Sequence, residues 1–256
     1  MPGVADQPEE LSHPVPRYHS STMADDAHTL PLVPLPDVVH FPCTELRLQI
    51  SEPRYQKLVR DVVEREDEES RRIGVVLLKP GWVETYEGRP EVFPDGTASR
   101  LLDADFLPDG RANIILYGDF RFEVQRELGG GDYRQAVVLP RVEGWLNEKD
   151  AGVVAVRLAL LENLRSLASE LGDRFPFDLA EEDEIGGTAG IGDSSFEELV
   201  NRIAAGLDVP ALRKLQLLTE TLPERGLSVL SILRSRRQVV DLLRPFRHLA
   251  GGSEMN

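Results

Sequence analysis

The spacing of the hydrophobic residues changes near residue 150 of this 256-residue chain, and this change limits the folds open to it. Before that point, apolar residues alternate with polar ones at 45–50 or form a short continuous run at 73–78, and both patterns are typical of strands. After it, apolar residues from Val153 to Leu171 recur at intervals of three and four, which is typical of an amphipathic helix. Strands and helices separated in this way predict the α+β class.

The two halves are predicted to form two subdomains. Residues 30–145 are predicted to be β-rich, with one helix that begins near Pro53, where the missing N–H costs nothing. Residues 146–249 are predicted to form a bundle of four helices. Pro31 and Pro34 lack the N–H that a central strand uses on both sides, so the first strand is predicted to lie at a sheet edge.

Two segments are predicted to lack regular structure. Residues 1–29 are polar and show no hydrophobic periodicity, which predicts a disordered tail. Met23 is an alternative start of the chain. Residues 173–193 contain an acidic cluster and several glycines, which predict a flexible loop.

The charge of the chain excludes some classes of partner. Lys and Arg number 29 and Asp and Glu number 44, so the net charge is −15. Non-specific binding to nucleic acid or to an anionic membrane needs a positive surface, and neither is expected here. No apolar run approaches the roughly 20 residues that cross a bilayer. The N-terminal residues also lack the apolar region of a secretory signal, so a cytoplasmic location is expected.

No catalytic, cofactor-binding or metal-binding set is predicted. Cys43 is the only cysteine, which excludes an internal disulfide and any site built from several thiolates. Cys43 and His40 are each predicted to be structural, because neither stands in a recognisable catalytic constellation. The acidic run 181–184 lacks the spacing of a calcium loop. The glycines at 186–192 follow no strand and precede no lysine, unlike a phosphate-binding loop.

Several short motifs, in this order, resemble the LON substrate-binding domain, which is the N-terminal domain of Lon proteases. They include the runs 30–35, 39–42 and 52–55, the later strands around 107–122 and the helical stretch 199–222. The resemblance covers about residues 30–245. Its motif residues are predicted to be structural: Pro31, Pro34, Phe41, Pro42, Glu52, Pro53, Arg54, Tyr55, Gly118, Arg121 and Phe122.

The resemblance implies a PUA-like twisted β-barrel or sheet followed by a C-terminal helical bundle. It implies a module that contacts polypeptide substrates or a protein partner and has no catalytic residues or cofactor of its own. The phosphate-binding loop Gly-x-x-x-x-Gly-Lys-Ser/Thr is absent from the sequence, and we expect neither the ATPase nor the protease domain of Lon in this chain. The primary expectation is a non-catalytic, polypeptide-binding protein.

Four aromatic residues are candidates for polypeptide contact, since aromatic side chains often supply interface energy. Three precede or begin the strand near residue 96, and the fourth lies at the junction of the two halves: Trp82, Tyr86, Phe93 and Trp145. The competing interpretation is that these rings fix a loop to the sheet.

Two other functions stay open at this stage. A hydrolase with an unrecognised site is one. An RNA-binding module is the other, because residues 222–250 carry six arginines against two acids. That region has only one aromatic residue for base stacking, Phe246, so its arginines are instead expected to pair with the acidic loop or to contact a protein. The oligomeric state is not predicted.

Overall fold

The chain forms a β-rich half followed by a helical half. The computed structural model describes residues 27–85, 88–171 and 194–244. The strands are β1 His28–Leu35, β2 Glu45–Ile50, β3 Arg72–Leu78, β4 Val92–Phe106, β5 Ala112–Leu128 and β6 Gln135–Arg141. The helices are α1 Pro53–Val63, α2 Ala151–Leu171, α3 Phe196–Gly206, α4 Ala211–Thr219 and α5 Leu222–Leu243, with short 3-10 turns at Glu68–Ser70 and Trp82–Thr85. The order of these elements confirms the predicted α+β class.

The strands close into a barrel. Their order is β2-β5-β4-β3-β1-β6, and β6 pairs again with β5. Five strands therefore form a ring, and β2 lies outside it along the first half of β5. The pair β1–β3 is parallel, whereas the other pairs are antiparallel. Register shifts along β4 and β5 mark irregularities that let these long strands bend around the ring.

The predicted edge position of β1 is wrong, because β1 lies between β3 and β6. Its first half, His28–Pro31, pairs with β6, and its second half, Leu32–Leu35, pairs with β3. The Leu32 N–H donates to the Arg134 carbonyl on the β6 side. N–H groups alternate in direction along a strand. At Pro31 and at Pro34, the side to which an N–H would point is the side on which β1 has no partner at that residue, so the missing N–H costs no hydrogen bond. The change of partner therefore accommodates both prolines.

Three hydrophobic clusters support this arrangement. One fills the barrel around Leu32 and Phe122. A second lies between the barrel and α1, where Leu58, Val59 and Val62 are fully buried. The third is the core of the helical bundle, which also takes in side chains from the barrel half. The two halves are therefore packed against each other rather than joined only by the chain.

The helices begin and end close to their predicted positions. Pro53 lies in the first turn of α1, and Ser195 caps α3 by accepting a hydrogen bond from the Glu198 N–H. Thr221 and Glu224 form a capping box at the start of α5. No helix in the described ranges combines the length and hydropathy needed to cross a membrane.

The segments predicted to lack regular structure fall mostly outside the described residues. The loop 173–193 lies wholly outside them. Of the predicted tail 1–29, only residues 27–29 are described. His28 and Thr29 belong to β1, so this strand begins two residues before the predicted boundary at Leu30.

Candidate functional site

The junction of the barrel and the bundle is organised around the carboxylate of Glu143. This residue follows β6 in the segment that leads to α2, and its side chain is 13% exposed. Glu143 Oε1 lies 2.7 Å from Arg121 Nη2 on β5 and 2.6 Å from Arg225 Nη2 on α5. Its Oε2 accepts a hydrogen bond from the Leu222 N–H, at the start of α5. One carboxylate thus connects a barrel strand, the linker and the last helix.

Arg225 is the most buried charge at this junction, with 0% exposure. Its guanidinium donates to Asn201 Oδ1 at 2.6 Å and to the carbonyls of Leu217 and Glu220 at 2.9 Å. These bonds, together with the ion pair to Glu143, use its nitrogens in a fork geometry that lysine does not offer. Burial of this charge is tolerated because it is paired and hydrogen-bonded.

Arg121 crosses from the barrel to the bundle. Its Nη1 donates to the carbonyls of Leu218 at 2.6 Å and Glu220 at 3.0 Å. Burial, with a smaller contribution from Arg225, lowers the pKa of Arg121 to about 10, and Glu143 opposes this shift. Burial and the negative charge of Glu143 raise the pKa of Glu197, which lies in the first turn of α3. The junction is therefore a coupled set of charges rather than separate surface pairs.

A groove of about 410 Å³ opens beside this ion cluster. One wall is the end of the barrel and the other is the turn between α4 and α5: Arg121, Pro140, Arg141, Val142, Thr219 and Thr221. Arg121 lines this groove, and its buried Nε has no hydrogen-bond partner among the described residues. Buried polar groups are normally paired, so an unpartnered donor on a groove residue makes this groove the candidate site.

Exposed apolar side chains lie at the end of β6 and in the segment after it. Leu139 is 37% exposed, Val142 is 39% exposed and Trp145 is 89% exposed. In the same segment, the carboxylate of Glu143 contacts the arginines of the ion cluster. Among the predicted aromatic contacts that the structure describes, Trp145 is the most exposed, and its exposure suits a binding role.

Phe93 and Trp82 do not share this exposure. Phe93, at the start of β4, packs against the core of the helical bundle. Trp82 is partly buried in a 3-10 turn. Tyr86 lies outside the described residues. The four residues are therefore not shown to form one surface, and their role in polypeptide contact stays a prediction.

His40 and Cys43 are held in place by the barrel. His40 Nε2 donates to the Thr44 carbonyl at 2.9 Å, and its Nδ1 accepts from the Ser99 hydroxyl at 2.9 Å. Burial lowers the pKa of His40 to about 4. Burial and nearby carboxylates raise the pKa of the Cys43 thiol to about 12, which disfavours a thiolate nucleophile. These contacts agree with structural roles for both residues.

The burial of His40 predicts a pH dependence of stability. Because its folded-state pKa lies below the unfolded value of 6.5, the unfolded chain binds more protons between about pH 6.5 and 4. As the pH falls from about 6.5 to 4, we expect the contribution of His40 to lower the free energy of unfolding by about 3 kcal/mol. Urea unfolding of the wild type and of a His40→Gln variant, from pH 8 to 4, measures the difference. Parallel pH profiles for the two proteins would contradict the expectation.

The predicted motif residues have structural positions in this fold. Phe41 and Phe122 are fully buried, and Gly118 lies against the backbone of Phe41. Arg54 pairs with Glu52 at 2.8 Å, and its guanidinium lies 4.9 Å from the centre of the Tyr55 ring. Arg121 alone among them reaches the groove.

Glu143, Asn201 and Arg225 were not singled out as site residues from the sequence. One signal was available for Arg225. It lies at a core position of its helix, three residues after Leu222 and four before Val229, where an apolar residue is expected. A charge at such a position indicates a buried partner. The sequence does not show that this partner is Glu143, which lies 82 residues away in the chain.

Three other arginines, two on α5 and one directly after it, pair with acids of the helical half. Arg236 pairs with Asp208, Arg237 with Glu162 and Arg244 with Glu170. The predicted pairing with the acidic loop cannot be compared, because that loop lies outside the described residues.

The barrel with a helical bundle packed against it is similar to two solved Lon N-terminal domains. The structure is similar to the N-terminal domain of Mycobacterium avium complex Lon protease, with a TM-score of 0.56 and 13% identity over 81% of this chain and 98% of that one. It is also similar to a Lon N-terminal domain protein from Xanthomonas campestris, with a TM-score of 0.51 and 24% identity over 80% and 98% of the two chains.

The chain belongs to the LON substrate-binding domain family, whose profile matches residues 29–235. Lon protease of Anaeromyxobacter dehalogenans is 28% identical over 83% of this chain, and Lon protease 2 of Myxococcus xanthus is 27% identical over 85%. The chain spans about a quarter of the length of these relatives, 24% and 25%. The match is to the substrate-binding domain and not to a catalytic domain.

Proposed function

We propose that this protein binds extended polypeptide segments without cleaving them, and that the groove between barrel and bundle is the binding site. The observation that carries the proposal is the buried Nε of Arg121, which belongs to a groove residue and has no hydrogen-bond partner among the described residues. A peptide backbone supplies a carbonyl acceptor at each residue, so it can accept a hydrogen bond from this donor.

The surroundings of the groove also suit a polypeptide. Thr219 and Thr221 line it on the helical side, while Val142 lines it on the barrel side. The exposed ring of Trp145 follows Val142 by three residues and offers a large apolar contact at low entropic cost. Family membership supports the class of ligand, because the family is named for its role in binding the substrates of Lon.

The surroundings of Cys43, the candidate nucleophile, and of His40, the candidate base, support the non-catalytic part of the proposal. Cys43 has a raised pKa, and both ring nitrogens of His40 are engaged in hydrogen bonds. Among the residues that the structure describes, no group of His, Cys, Asp or Glu could hold a metal ion. The α5 arginines that pair with acids offer little free charge to a nucleic-acid backbone, so we propose no second function.

The fluorescence of Trp145 tests the proposal directly. The chain has two tryptophans, so a Trp82→Phe variant leaves Trp145 as the reporter. We expect its emission to shift to shorter wavelength when a permanently unfolded polypeptide without tryptophan is added, because the ligand covers an exposed ring. A Val142→Asp change should weaken the affinity by about tenfold, since it removes an apolar contact at the groove.

Leu102→Asp is the matched control, because Leu102 is also exposed, at 52%, but lies on the part of β4 away from the groove. Its affinity should equal that of the parent. Gel electrophoresis of the same mixtures, with and without ATP, should show the polypeptide intact. An unchanged Trp145 spectrum at saturating polypeptide, or cleavage of the polypeptide, would reject the proposed function.

A further inference from the structure

A second pocket, of about 290 Å³, lies near the start of β6, whereas the groove lies near its end. Three parts of the chain line this pocket: the first turn of α1, residues 88–90 before β4, and residues 131–134 in the loop between β5 and β6. Because β6 spans seven residues, the two sites are roughly 20 Å apart. The pocket is therefore separate from the groove, and its size is close to that of the smallest small-molecule sites.

Arg134 is the buried charge of this pocket, with 6% exposure. Its Nε pairs with Glu127 Oε2 at 3.1 Å, and its Nη2 donates to the Pro90 carbonyl at 2.7 Å. Its Nη1 is also buried, but it has no hydrogen-bond partner among the described residues. Because buried donors are normally paired, a donor left over on a residue of this pocket points to a ligand that offers an acceptor.

The balance of charge around the pocket favours an anion as this ligand. Three arginines line the pocket, against one acid, Asp132, among the described residues. Asp132 lies 3.7 Å from Lys57, so a basic side chain offsets this acid. Two of the arginines have an acidic partner, but Arg89 does not pair with an acid in the described part of the chain. Its exposed guanidinium therefore adds positive charge at the pocket.

Hydrogen bonds connect the three walls of the pocket. Arg54 Nη1 donates to the Gly88 carbonyl at 3.1 Å, which joins α1 to the segment before β4. Arg134 joins the same segment to the loop before β6 through its bond to Pro90. The two arginines are thus held in place, and a pocket that is already ordered gives up little conformational entropy when it binds a ligand.

We propose that this pocket binds a small oxyanion, that is, a carboxylate or phosphate group of a low-molecular-weight ligand. An oxygen of the group accepts a hydrogen bond from Arg134 Nη1, and Arg89 supplies a second positive charge. Guanidinium groups form strong, charge-assisted hydrogen bonds with both kinds of oxyanion. The site goes beyond polypeptide binding at the groove and does not depend on it.

Titration of the full, isotope-labelled chain with inorganic phosphate or with succinate tests this site by nuclear magnetic resonance. Ionic strength is held constant with sodium chloride, so that general screening is the same at every point. We expect the backbone amide signals of residues 131–134 to shift in a saturable way at millimolar probe. Saturation by one probe supports the site and identifies the oxyanion, and saturation by both supports a site that accepts either.

Three single variants separate the pocket from the rest of the protein. Arg134→Lys keeps a positive charge but loses the fork of donors, so it should weaken probe binding by about tenfold. Arg89→Gln should weaken it by about threefold, and the fold should persist because Arg89 is exposed. Arg234→Gln is the matched control, since Arg234 is an exposed arginine on α5, and its affinity should equal that of the wild type.

The absence of a saturable shift with both probes would overturn the proposal, and so would equal affinities in the wild type and Arg89→Gln. If Arg134→Lys does not fold, the comparison of Arg89→Gln with Arg234→Gln still decides the result. Polypeptide binding at the groove is a separate measurement and should be the same with and without saturating probe. Loss of polypeptide binding would therefore reject the proposed function, while the titration would still decide whether the oxyanion site exists.

Discussion

Replacing Arg225 with alanine should lower the free energy of unfolding by about 3–5 kcal/mol, the largest effect we expect from a single charged residue. The change leaves Glu143 and Asn201 without their shared partner. Because the site is buried, water does not replace the lost contacts. The carbonyls of Leu217 and Glu220 also lose a donor. Urea unfolding at pH 7, followed by circular dichroism, measures the loss.

Arg234→Ala is the matched control, because Arg234 lies on the same helix and is exposed. It should change stability by less than about 0.5 kcal/mol. In a double-mutant cycle, the losses of Arg225→Ala and Glu143→Gln should be less than additive, because both changes remove the same ion pair. A loss below about 1 kcal/mol in Arg225→Ala, or fully additive losses in the double variant, would contradict the role given to this cluster.

Gly118→Ala should be destabilising by about 3 kcal/mol, at the upper end of the usual cost of overpacking. A Cβ atom at this position would lie within 3.0 Å of the Phe41 carbonyl carbon and of the Pro42 Cα, and closer still to the Phe41 carbonyl oxygen. These are backbone atoms, so no side chain can rotate away to relieve the clash. The Cys43 N–H also donates to the Gly118 carbonyl at 2.8 Å, so movement of this strand breaks a bond.

Gly129→Ala separates this clash from the general effect of losing a glycine. No atom lies within 4 Å of a Cβ built at Gly129, which is in the loop after β5. Its thermal unfolding temperature should stay close to that of the wild type, while that of Gly118→Ala falls by several degrees. Equal temperatures for the two variants would show that the approach of Phe41 is not a constraint.

Much of the fold could be predicted from the sequence because the signals are local. The alternation at 45–50, the apolar run at 73–78 and the three-and-four spacing after residue 150 each report on a few neighbouring residues, and the structure contains the corresponding strands and helix. The first strand shows the limit of this reasoning. Its two prolines correctly indicate that β1 is not paired along its whole length on both sides. In the structure, β1 changes partner between β6 and β3, and this depends on strands more than 40 residues away.

The candidate site was less predictable than the fold for the same reason. Trp145 could be selected from its residue type, but the groove beside it depends on the approach of β6 to the turn between α4 and α5. The predicted aromatic contacts differ in their surroundings, since Phe93 packs toward the bundle while Trp145 is exposed.

The sequence by itself determined the division into a strand-rich and a helical half, the family that the chain resembles, and the absence of the phosphate-binding loop of an ATPase. These depend on periodicity and on short motifs, which are properties of neighbouring residues. The tertiary structure alone decided the closure of the barrel, the shared carboxylate of Glu143 and the groove. Each of these joins residues far apart in the chain, such as Arg121 with Leu218, and such contacts form only when both halves pack together.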